Sequence, residues 1–421
     1  MQEKLVELLK HKGIGPQGSK HISLEECRAT LNLLQHQDCS LTTKATFLTA
    51  LFLLDKDENE KQLCLDIQEN IDILDSKLHF IITGKAQNEL ENIILKAIAK
   101  KDLSQKEAEL GISQSFHPET DEHLTAAFLE ALRLKRETDL ENSIFYKYFL
   151  AHTSRSTVDY DVLIELGDSY DGVKRNNNYN LFTACLLGAL GYKTIITGNK
   201  TVAPKNGVTH HQILLSAQKN PLISYDAALK HLDQNHWTYL DQAVFYPTLW
   251  EEKSMREEMV KRPCIATFEK MLSPIANKRG NHLITSYTHA HYKHANIEII
   301  KHSPYITTAL NVKGLEGTIT PKQNVSTPIV KWENDLISES KHYFSDETLE
   351  ATEELSAEET LKLGVDFIQN NAHNQASQYI KNTVSLILTN ITELSSSEVL
   401  EKIEDAILNN KVYDLWSKSM N

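Results

Sequence analysis

Cysteine, glycine and long apolar runs are all scarce in this chain. Its 421 residues include 5 Cys and 15 Gly. The cysteines are scattered, odd in number and without a CxxC pair, so they suggest neither a disulfide framework nor a thiolate zinc site. The longest strongly apolar run, Phe47 to Leu54, is far shorter than a bilayer span, and the amino terminus starts an amphipathic helix rather than a signal peptide. We therefore expect a soluble protein of the reducing cytoplasm with no membrane contact.

Carboxylates are absent from one long stretch, between Gly172 and Asp226, although the chain carries a net charge of −13. The same stretch contains six cations: Lys174, Arg175, Lys193, Lys200, Lys205 and Lys219. Its asparagines and glycines favour tight turns that present backbone N–H groups. The pattern predicts an anion site, and the alternative is a locally basic, solvated surface.

The acidity of the chain is concentrated near its carboxyl end. Residues 333–421 hold 17 Asp and Glu against 6 Lys and Arg. Bulk charge would therefore not attract nucleic acid, although a local basic patch could still do so.

The first third of the chain contains an internal repeat with an offset of 81 residues. Ile22 to Cys27 matches Leu103 to Ala108, and the FLxAL block at Phe47 to Leu51 matches Phe128 to Leu132. In each copy a Ser-x-x-Glu capping box opens a helix, and the FLxAL block supplies an apolar helical face. The pattern indicates a duplicated helical module, with chance similarity of amphipathic helices as the weaker explanation.

After about residue 156 the pattern changes to alternating strands and helices. Strands are predicted at Val162 to Leu166, Lys193 to Thr197, Trp237 to Leu240, His282 to Tyr287 and Ile306 to Val312. Helices are predicted at Leu181 to Leu190, Met255 to Val260, Tyr292 to Ile300, Ala357 to Asn370 and Ser397 to Asn409. This alternation predicts an α/β domain with a mostly parallel sheet, whose ligands bind at the carboxyl ends of the strands. The expected domains are residues 1–85, an extra helical module, residues 86–155, a second helical copy, and residues 156–421, the α/β domain with its carboxy-terminal helices.

Four motifs follow one another in the acid-free region and just before it. They are GDSYDG at Gly167 to Gly172, Asn180-x-x-Thr183, TGNK at Thr197 to Lys200, and APKNG at Ala203 to Gly207. In order and spacing they resemble the GTGGDG, N-x-S-T, HGNR and SSxxG motifs of the anthranilate phosphoribosyltransferase family. The resemblance continues through Arg256 and the block Arg262 to Pro274, and reaches GLEG at Gly314 to Gly317, which is similar to the family's GLDE.

This resemblance implies a phosphoribosyltransferase-like fold, related to nucleoside phosphorylases, with a helical domain and homodimers formed through the helices. It also implies pentosyl transfer from phosphoribosyl pyrophosphate to an aromatic or nitrogen acceptor, with Mg²⁺ as cofactor. By the same resemblance Lys200 and Glu316 would be catalytic, and Glu316 would hold the metal. Residues expected to bind phosphate or substrate are Gly167, Asp168, Asp171, Gly172, Asn180, Thr183, Gly198, Asn199, Lys205, Gly207 and Arg262, the last as receptor for an acceptor carboxylate.

The chain departs from the family at several phosphate-binding positions. Ser169 and Tyr170 stand where glycines are expected, and a tyrosine there would obstruct the approach of pyrophosphate. Thr197 replaces a histidine, and Gly317 replaces the second carboxylate of the metal site, which weakens magnesium binding. Two further substitutions, Ala203 and Pro204, remove a serine pair. The alternative hypothesis is therefore a catalytically silent relative that binds nucleic acid or a phosphorylated ligand.

Overall fold

A computed structural model describes residues 1–15, 18–344 and 354–419, and these form two compact units. One unit consists of residues 1–148 and 252–265, and the other of residues 149–251 and 266–421. Residues 252–265, which the sequence placed in the α/β domain, thus group with the amino-terminal helices. Among the described residues no helix combines the length and apolarity needed to cross a bilayer.

The elements alternate as predicted after a long helical start. The α-helices are α1 (Gln2–Lys12), α2 (Leu24–Gln35), α3 (Leu41–Leu53), α4 (Glu58–Glu69), α5 (His79–Thr83), α6 (Glu89–Ile98), α7 (Gln105–Ser115), α8 (Glu122–Lys135), α9 (Asp139–His152), α10 (Asn180–Ala189), α11 (His210–Ser216), α12 (Tyr225–Asn235), α13 (Gln242–Phe245), α14 (Pro247–Glu251), α15 (Lys253–Met259), α16 (Ile265–Phe268), α17 (Tyr292–Ile300), α18 (Ala357–Asn370), α19 (Gln375–Ile391), α20 (Ser396–Leu408) and α21 (Lys411–Lys418). The β-strands are β1 (Ser156–Val158), β2 (Leu163–Gly167), β3 (Lys193–Gly198), β4 (Trp237–Asp241), β5 (Ile275–Asn277), β6 (Asn281–Ser286), β7 (Ile306–Val312), β8 (Thr327–Glu333) and β9 (Leu336–His342).

The duplication predicted from the sequence is confirmed in the helical unit. Helices α2, α3 and α4 begin 81 residues before α7, α8 and α9, respectively. Ser23 and Ser104 each close a capping box at the start of α2 and α7. The equivalent helices α3 and α8 pack against each other, and Phe47 and Phe128 of the two FLxAL blocks are fully buried. The two copies therefore bury their matching apolar faces within one chain.

A buried glutamate marks the same position in each copy. Glu60 accepts a hydrogen bond from the backbone N–H of Ile22, and its equivalent Glu141 accepts one from Leu103. Each glutamate also forms an ion pair with a buried lysine, which is Lys12 in the first copy at 2.7 Å and Lys135 in the second at 2.8 Å. The repeat thus extends from matching helices to matching polar anchors.

The second unit is built on a seven-stranded sheet with the order β4-β3-β2-β6-β7-β8-β9. The first five of these strands are parallel, and the β8–β9 hairpin adds an antiparallel edge. From β2 the chain proceeds through β3 to β4 on one side, whereas β6 and β7 extend the sheet on the other. The strand order therefore reverses between β2 and β6, and such a switch point opens a crevice above the carboxyl ends of the strands.

The carboxy-terminal helices pack back onto this α/β unit. Trp416 of α21 stacks on Trp237 of β4 with ring centroids 5.9 Å apart, and it also lies 4.7 Å from the ring of Phe182 in α10. All three rings are buried. This aromatic contact attaches α21 to α10 and to the edge strand β4.

Candidate functional site: a loop cradle above the switch point

Three loops meet above the switch point. The first follows β2 and contains GDSYDG, the second follows β3 and contains APKNG, and the third follows β7 and contains GLEG. Because β2, β3, β6 and β7 are parallel, the loops leave the sheet at the same edge. The three motifs thus lie at the carboxyl ends of the strands, where ligands bind in sheets of this kind.

Glycines allow the first two loops to touch through their backbones. Val173 and Val208 form an antiparallel bridge, and the N–H of Gly207 donates to the carbonyl of Asp171 at 2.9 Å. Gly172 has a φ of +69°, and a Cβ there would lie 2.5 Å from the carbonyl oxygen of Gly207. A Cβ at Gly207 would likewise collide with the backbone of Val173. These two glycines thus serve a contact between loops of the chain itself.

The carboxylate of Glu316 lies in a cradle of hydrogen-bond donors. It accepts from the backbone N–H of Lys174 at 3.0 Å, from that of Arg175 at 2.9 Å, and from the side-chain amide of Asn176 at 3.2 Å. Burial alone would raise the pKa of Glu316, but the Arg175 N–H, the Lys205 ammonium and the remaining donors outweigh it and lower the pKa. Glu316 itself adopts φ +51°, a conformation that a glutamate rarely takes. The cradle therefore holds a negatively charged group, which here comes from the chain itself.

Lys205 joins the three loops. Its ammonium group lies 3.2 Å from Asp171 Oδ1 and 3.7 Å from Glu316 Oε1. It also donates to the backbone carbonyls of Gly172 and Glu316. The Asp171 and Glu316 side chains are almost fully buried, and the lysine side chain is only 16% exposed. The ammonium thus sits between two carboxylates in a largely dry setting, where charge-assisted hydrogen bonds are strong.

Asp168 fixes the base of the first loop. Its carboxylate is fully buried and accepts from the side chains of Asn178, Asn180 and His210 and from the backbone N–H of Ile319, at 2.8–3.0 Å. Burial raises the pKa of Asp168, yet the contacts with His210, Asn180 and Ile319 lower it overall. Asp168 therefore holds the loop, the start of α10 and the third loop in one arrangement.

The residues that follow the family's N-x-S-T pattern are also structural. Asn180 donates to Asp168, and its carbonyl accepts from the hydroxyls of Thr183 and Thr320. All three of these partners are buried along with Asn180. The start of α10 is thereby tied to the third loop beneath the cradle.

Two departures from the family pattern contact each other. Tyr170, in place of a glycine, is 2% exposed and donates from its hydroxyl to Thr197 Oγ1 at 2.7 Å. Thr197 stands at the end of β3 where the family has a histidine. The tyrosine ring thus points into the unit toward β3, and the smaller threonine accommodates it. Its burial raises the pKa of Tyr170, so the hydroxyl stays neutral.

The other predicted site residues are distributed as follows. Lys200 is exposed beside the second loop, whereas Asn199 is fully buried and donates to Gln242 at 2.7 Å. Gly167 and Gly198 end β2 and β3. Arg262 is exposed and belongs to the helical unit, in the segment between α15 and α16. Of the six cations in the acid-free stretch, Lys193 and Lys219 lie elsewhere, at the start of β3 and beyond α11.

Sequence reasoning missed an acid–histidine pair at the same edge of the sheet. His211 Nδ1 lies 2.8 Å from Asp241 Oδ2, and Tyr239 donates to the same oxygen at 2.7 Å. His210 and His211 are neighbours in the chain, yet each contacts a different strand-end aspartate. The aspartate partners lie 30 and 42 residues away along the chain, so no local pattern links them to these histidines.

The donor set fits magnesium poorly. Both oxygens of Glu316 accept hydrogen bonds from N–H donors, and Gly317 supplies no second carboxylate. A second carboxylate, that of Asp171, shares the Lys205 ammonium with Glu316. Mg²⁺ requires oxygen ligands at about 2.0–2.1 Å in octahedral order, and an ammonium between the two carboxylates repels it. The metal role predicted for Glu316 therefore disagrees with this geometry.

Comparison with solved structures defines the class of fold. Anthranilate phosphoribosyltransferase from Saccharomyces cerevisiae, solved in complex with PRPP and Mg, superposes with a TM-score of 0.64 at 13% identity, over 80% of this chain and 98% of that one. The same enzyme from Thermus thermophilus gives a TM-score of 0.63 at 14% identity, over 78% and 98% of the two chains. The chain thus has the phosphoribosyltransferase fold of these enzymes, as its motifs predicted.

Sequence comparison leads to similar proteins over shorter spans. Anthranilate phosphoribosyltransferase from Methanobrevibacter smithii is 26% identical over 193 residues, which are 45% of this chain and about half, 55%, of that enzyme. An uncharacterized protein from Aquifex aeolicus is 28% identical over 239 residues, 56% of this chain and 71% of that protein. No protein-family model matches the chain. The resemblance to anthranilate phosphoribosyltransferases is therefore confirmed as that of a divergent relative.

Proposed function

We propose that this chain binds a phosphorylated ligand of the phosphoribosyl pyrophosphate class in the loop cradle and transfers its pentosyl group to an aromatic or nitrogen acceptor. The observation that carries the proposal is the position of the Glu316 carboxylate. Two backbone N–H groups, the Asn176 amide and the Lys205 ammonium surround it. Donors that hold a carboxylate in this way also suit a phosphate oxygen, so an incoming phosphate would take the place of Glu316.

Pentosyl transfer places its main demand on the leaving group. The bond from the anomeric carbon to pyrophosphate breaks, the acceptor nitrogen forms the new bond and releases its proton, and pyrophosphate gains negative charge. Fixed donors aimed at that charge lower the barrier, and they need no reorganisation during the reaction. Lys205 and the N–H groups of Lys174 and Arg175 would bind the phosphates, and exposed Lys200 would reach them from the second loop.

The ligand test is a calorimetric titration with phosphoribosyl pyrophosphate and with pyrophosphate. We expect binding of both, weakened by Lys200→Ala because this substitution removes an exposed cation from the second loop. Absence of heat with either ligand would eliminate the phosphate site. The activity test is release of pyrophosphate from phosphoribosyl pyrophosphate in the presence of anthranilate and other aromatic amines.

A catalytically silent binding protein is the second candidate function. It is favoured by the exposure of Lys174, Arg175 and Lys200, because their side chains are open to solvent while the inner donors already hold Glu316. Such cations could contact a nucleic-acid backbone. A protein that shifts a short oligonucleotide at low salt, yet releases no pyrophosphate with any acceptor, would support this candidate over the transferase.

Homodimer formation through the helical unit is part of the proposal, but the buried faces of α3 and α8 are not available for it. The faces of α3 and α8 that carry the FLxAL blocks are buried against each other within one chain. A dimer would therefore use another face of the helical unit. Light scattering after gel filtration distinguishes a monomer of 47.8 kDa from a dimer.

A further inference from the structure

One ammonium group lies between the two carboxylates of the loop cradle. Asp171 and Glu316 approach the same Lys205 ammonium, at 3.2 and 3.7 Å. The ammonium is fixed in this position because it also donates to the carbonyls of Gly172 and Glu316, one from each flanking loop. Four oxygen atoms thus surround the ammonium group of a lysine whose side chain is only 16% exposed. It occupies the place between two carboxylates that a bound cation would take.

We propose that Lys205 is the resident cation of this site, and that the site binds pyrophosphate groups without Mg²⁺. The inference rests on the proposed phosphate site and concerns how the phosphate charge is neutralised there. When a phosphate group replaces the Glu316 carboxylate, Lys205 keeps Asp171 as one partner and gains a phosphate oxygen as the other. The N–H groups of Lys174 and Arg175 complete the contacts, so every new partner of the anion is a nitrogen donor.

The position of Lys205 in the chain supports this role. It belongs to the second loop, whose approach to the first loop is set by Gly172 and Gly207. The backbone of Lys205 is therefore held close to Asp171, and its ammonium group contacts the carbonyl of Glu316 in the third loop. Gly317, next to Glu316, has a φ of +88° and offers no carboxylate for a metal. The same loops that leave magnesium without ligands thus place an ammonium group at the centre.

The experiment is a pyrophosphate titration of the full chain by calorimetry, in buffer with EDTA and in buffer with excess MgCl₂. We expect wild-type binding in EDTA to be at least as tight as in MgCl₂, because excess Mg²⁺ forms a complex with pyrophosphate in solution and the site supplies no ligands for that ion. In EDTA, Lys205→Ala should weaken binding about tenfold or more, which is the range for loss of one charge-assisted contact. Lys193→Ala removes the same charge at the opposite end of β3 and should leave the affinity unchanged.

The outcomes distinguish failure of metal-free binding from failure of the phosphate site. Binding that disappears in EDTA and returns with Mg²⁺ would overturn the inference while leaving the phosphate site intact. Wild-type affinity in Lys205→Ala would overturn it as well. No binding in either buffer would remove the phosphate site and the inference together. Thermal denaturation shows whether a loss of pyrophosphate affinity in Lys205→Ala reflects unfolding, and Lys205→Arg serves as a variant that keeps the charge. The comparison of the two buffers uses wild type alone and does not depend on any variant.

Discussion

The backbone N–H of Arg175 donates to the carboxylate of Glu316 at 2.9 Å, across 141 residues of sequence. Arg175 lies in the loop after β2, and Glu316 lies in the loop after β7. The contact therefore joins the two sides of the switch point, and it does so with a backbone donor of the kind that binds phosphate in other α/β proteins. An acidic side chain of the protein holds the position that we assign to the ligand.

The ionisation of Glu316 predicts how its contribution to stability depends on pH. Burial raises the pKa of Glu316, but the Arg175 N–H, Lys205 and the other donors lower it below the ordinary value. Its stabilising effect is therefore complete above the unfolded-state pKa of about 4.3 and is lost as the pH falls toward the folded-state value. In urea denaturation, the free energy of unfolding of wild type should exceed that of Glu316→Gln by a constant amount from pH 7 to about 5. This difference should shrink below about pH 4. A margin that grows in acid would contradict the hydrogen-bonded, ionised carboxylate.

Asp168 is predicted to be a main support of the loop arrangement. An asparagine at this position would turn its amide group toward existing donors in either orientation, because Oδ1 and Oδ2 both accept hydrogen bonds. We expect Asp168→Asn to lower the free energy of unfolding by about 3 kcal/mol. Asp161→Asn is the control, since that carboxylate is 91% exposed and pairs with Arg279 at the surface. It should change stability by less than about 0.5 kcal/mol. Equal losses in the free energy of unfolding for the two substitutions, measured by urea denaturation, would show that Asp168 is not a main support of the loops.

The duplicated module predicts equal roles for Glu60 and Glu141. Each is fully buried and paired with a buried lysine, so replacing either by glutamine removes the buried counter-ion of that ammonium. Lys135 then keeps only the exposed carboxylate of Asp102, at 3.1 Å. We expect each substitution to destabilise the chain by about 3 kcal/mol. Glu58→Gln, which changes an exposed glutamate paired with Lys61, should cost less than about 0.5 kcal/mol. Chemical denaturation of the three variants measures these losses in the free energy of unfolding. A large loss in only one copy would show that Glu60 and Glu141 do not have equivalent roles.

Binding of single-stranded nucleic acid is expected to depend steeply on salt if it occurs through the exposed cations. Three phosphate contacts, by Lys174, Arg175 and Lys200, would reduce the affinity about twentyfold between 50 and 200 mM salt. Fluorescence anisotropy with a labelled oligonucleotide measures this slope. An affinity that is independent of salt would show that these cations do not form the contact surface.

Much of the fold could be predicted from local pattern. The helices at Tyr292–Ile300 and Ala357–Asn370 and the strand at Ile306–Val312 have the predicted bounds. The β8–β9 hairpin was missed because β9 is exposed along nearly its whole length and thus shows no apolar alternation. Its sequence, LISESKH, carries polar residues where a buried strand would carry apolar ones.

The site could be predicted only as a set of loops. Motif order placed Lys205, Asp171 and Glu316 together, because parallel strands deliver their loops to one edge. That Glu316 accepts from the backbone of Lys174 and Arg175 depends on contacts between distant segments, which no local pattern encodes. For the same reason the contact between Tyr170 and Thr197 could not be predicted, and the two residues appeared in the sequence only as unrelated substitutions in two motifs.

The most direct test of the account is the pyrophosphate affinity of Glu316→Ala compared with wild type, measured by calorimetry. Removal of the carboxylate frees the cradle's donors and removes one negative charge, so binding should tighten about tenfold, or about 1.4 kcal/mol. Glu298→Ala removes the same charge from the exposed surface and should leave the affinity unchanged. Equal or weaker binding by Glu316→Ala would contradict the claim that phosphate takes the place of this carboxylate.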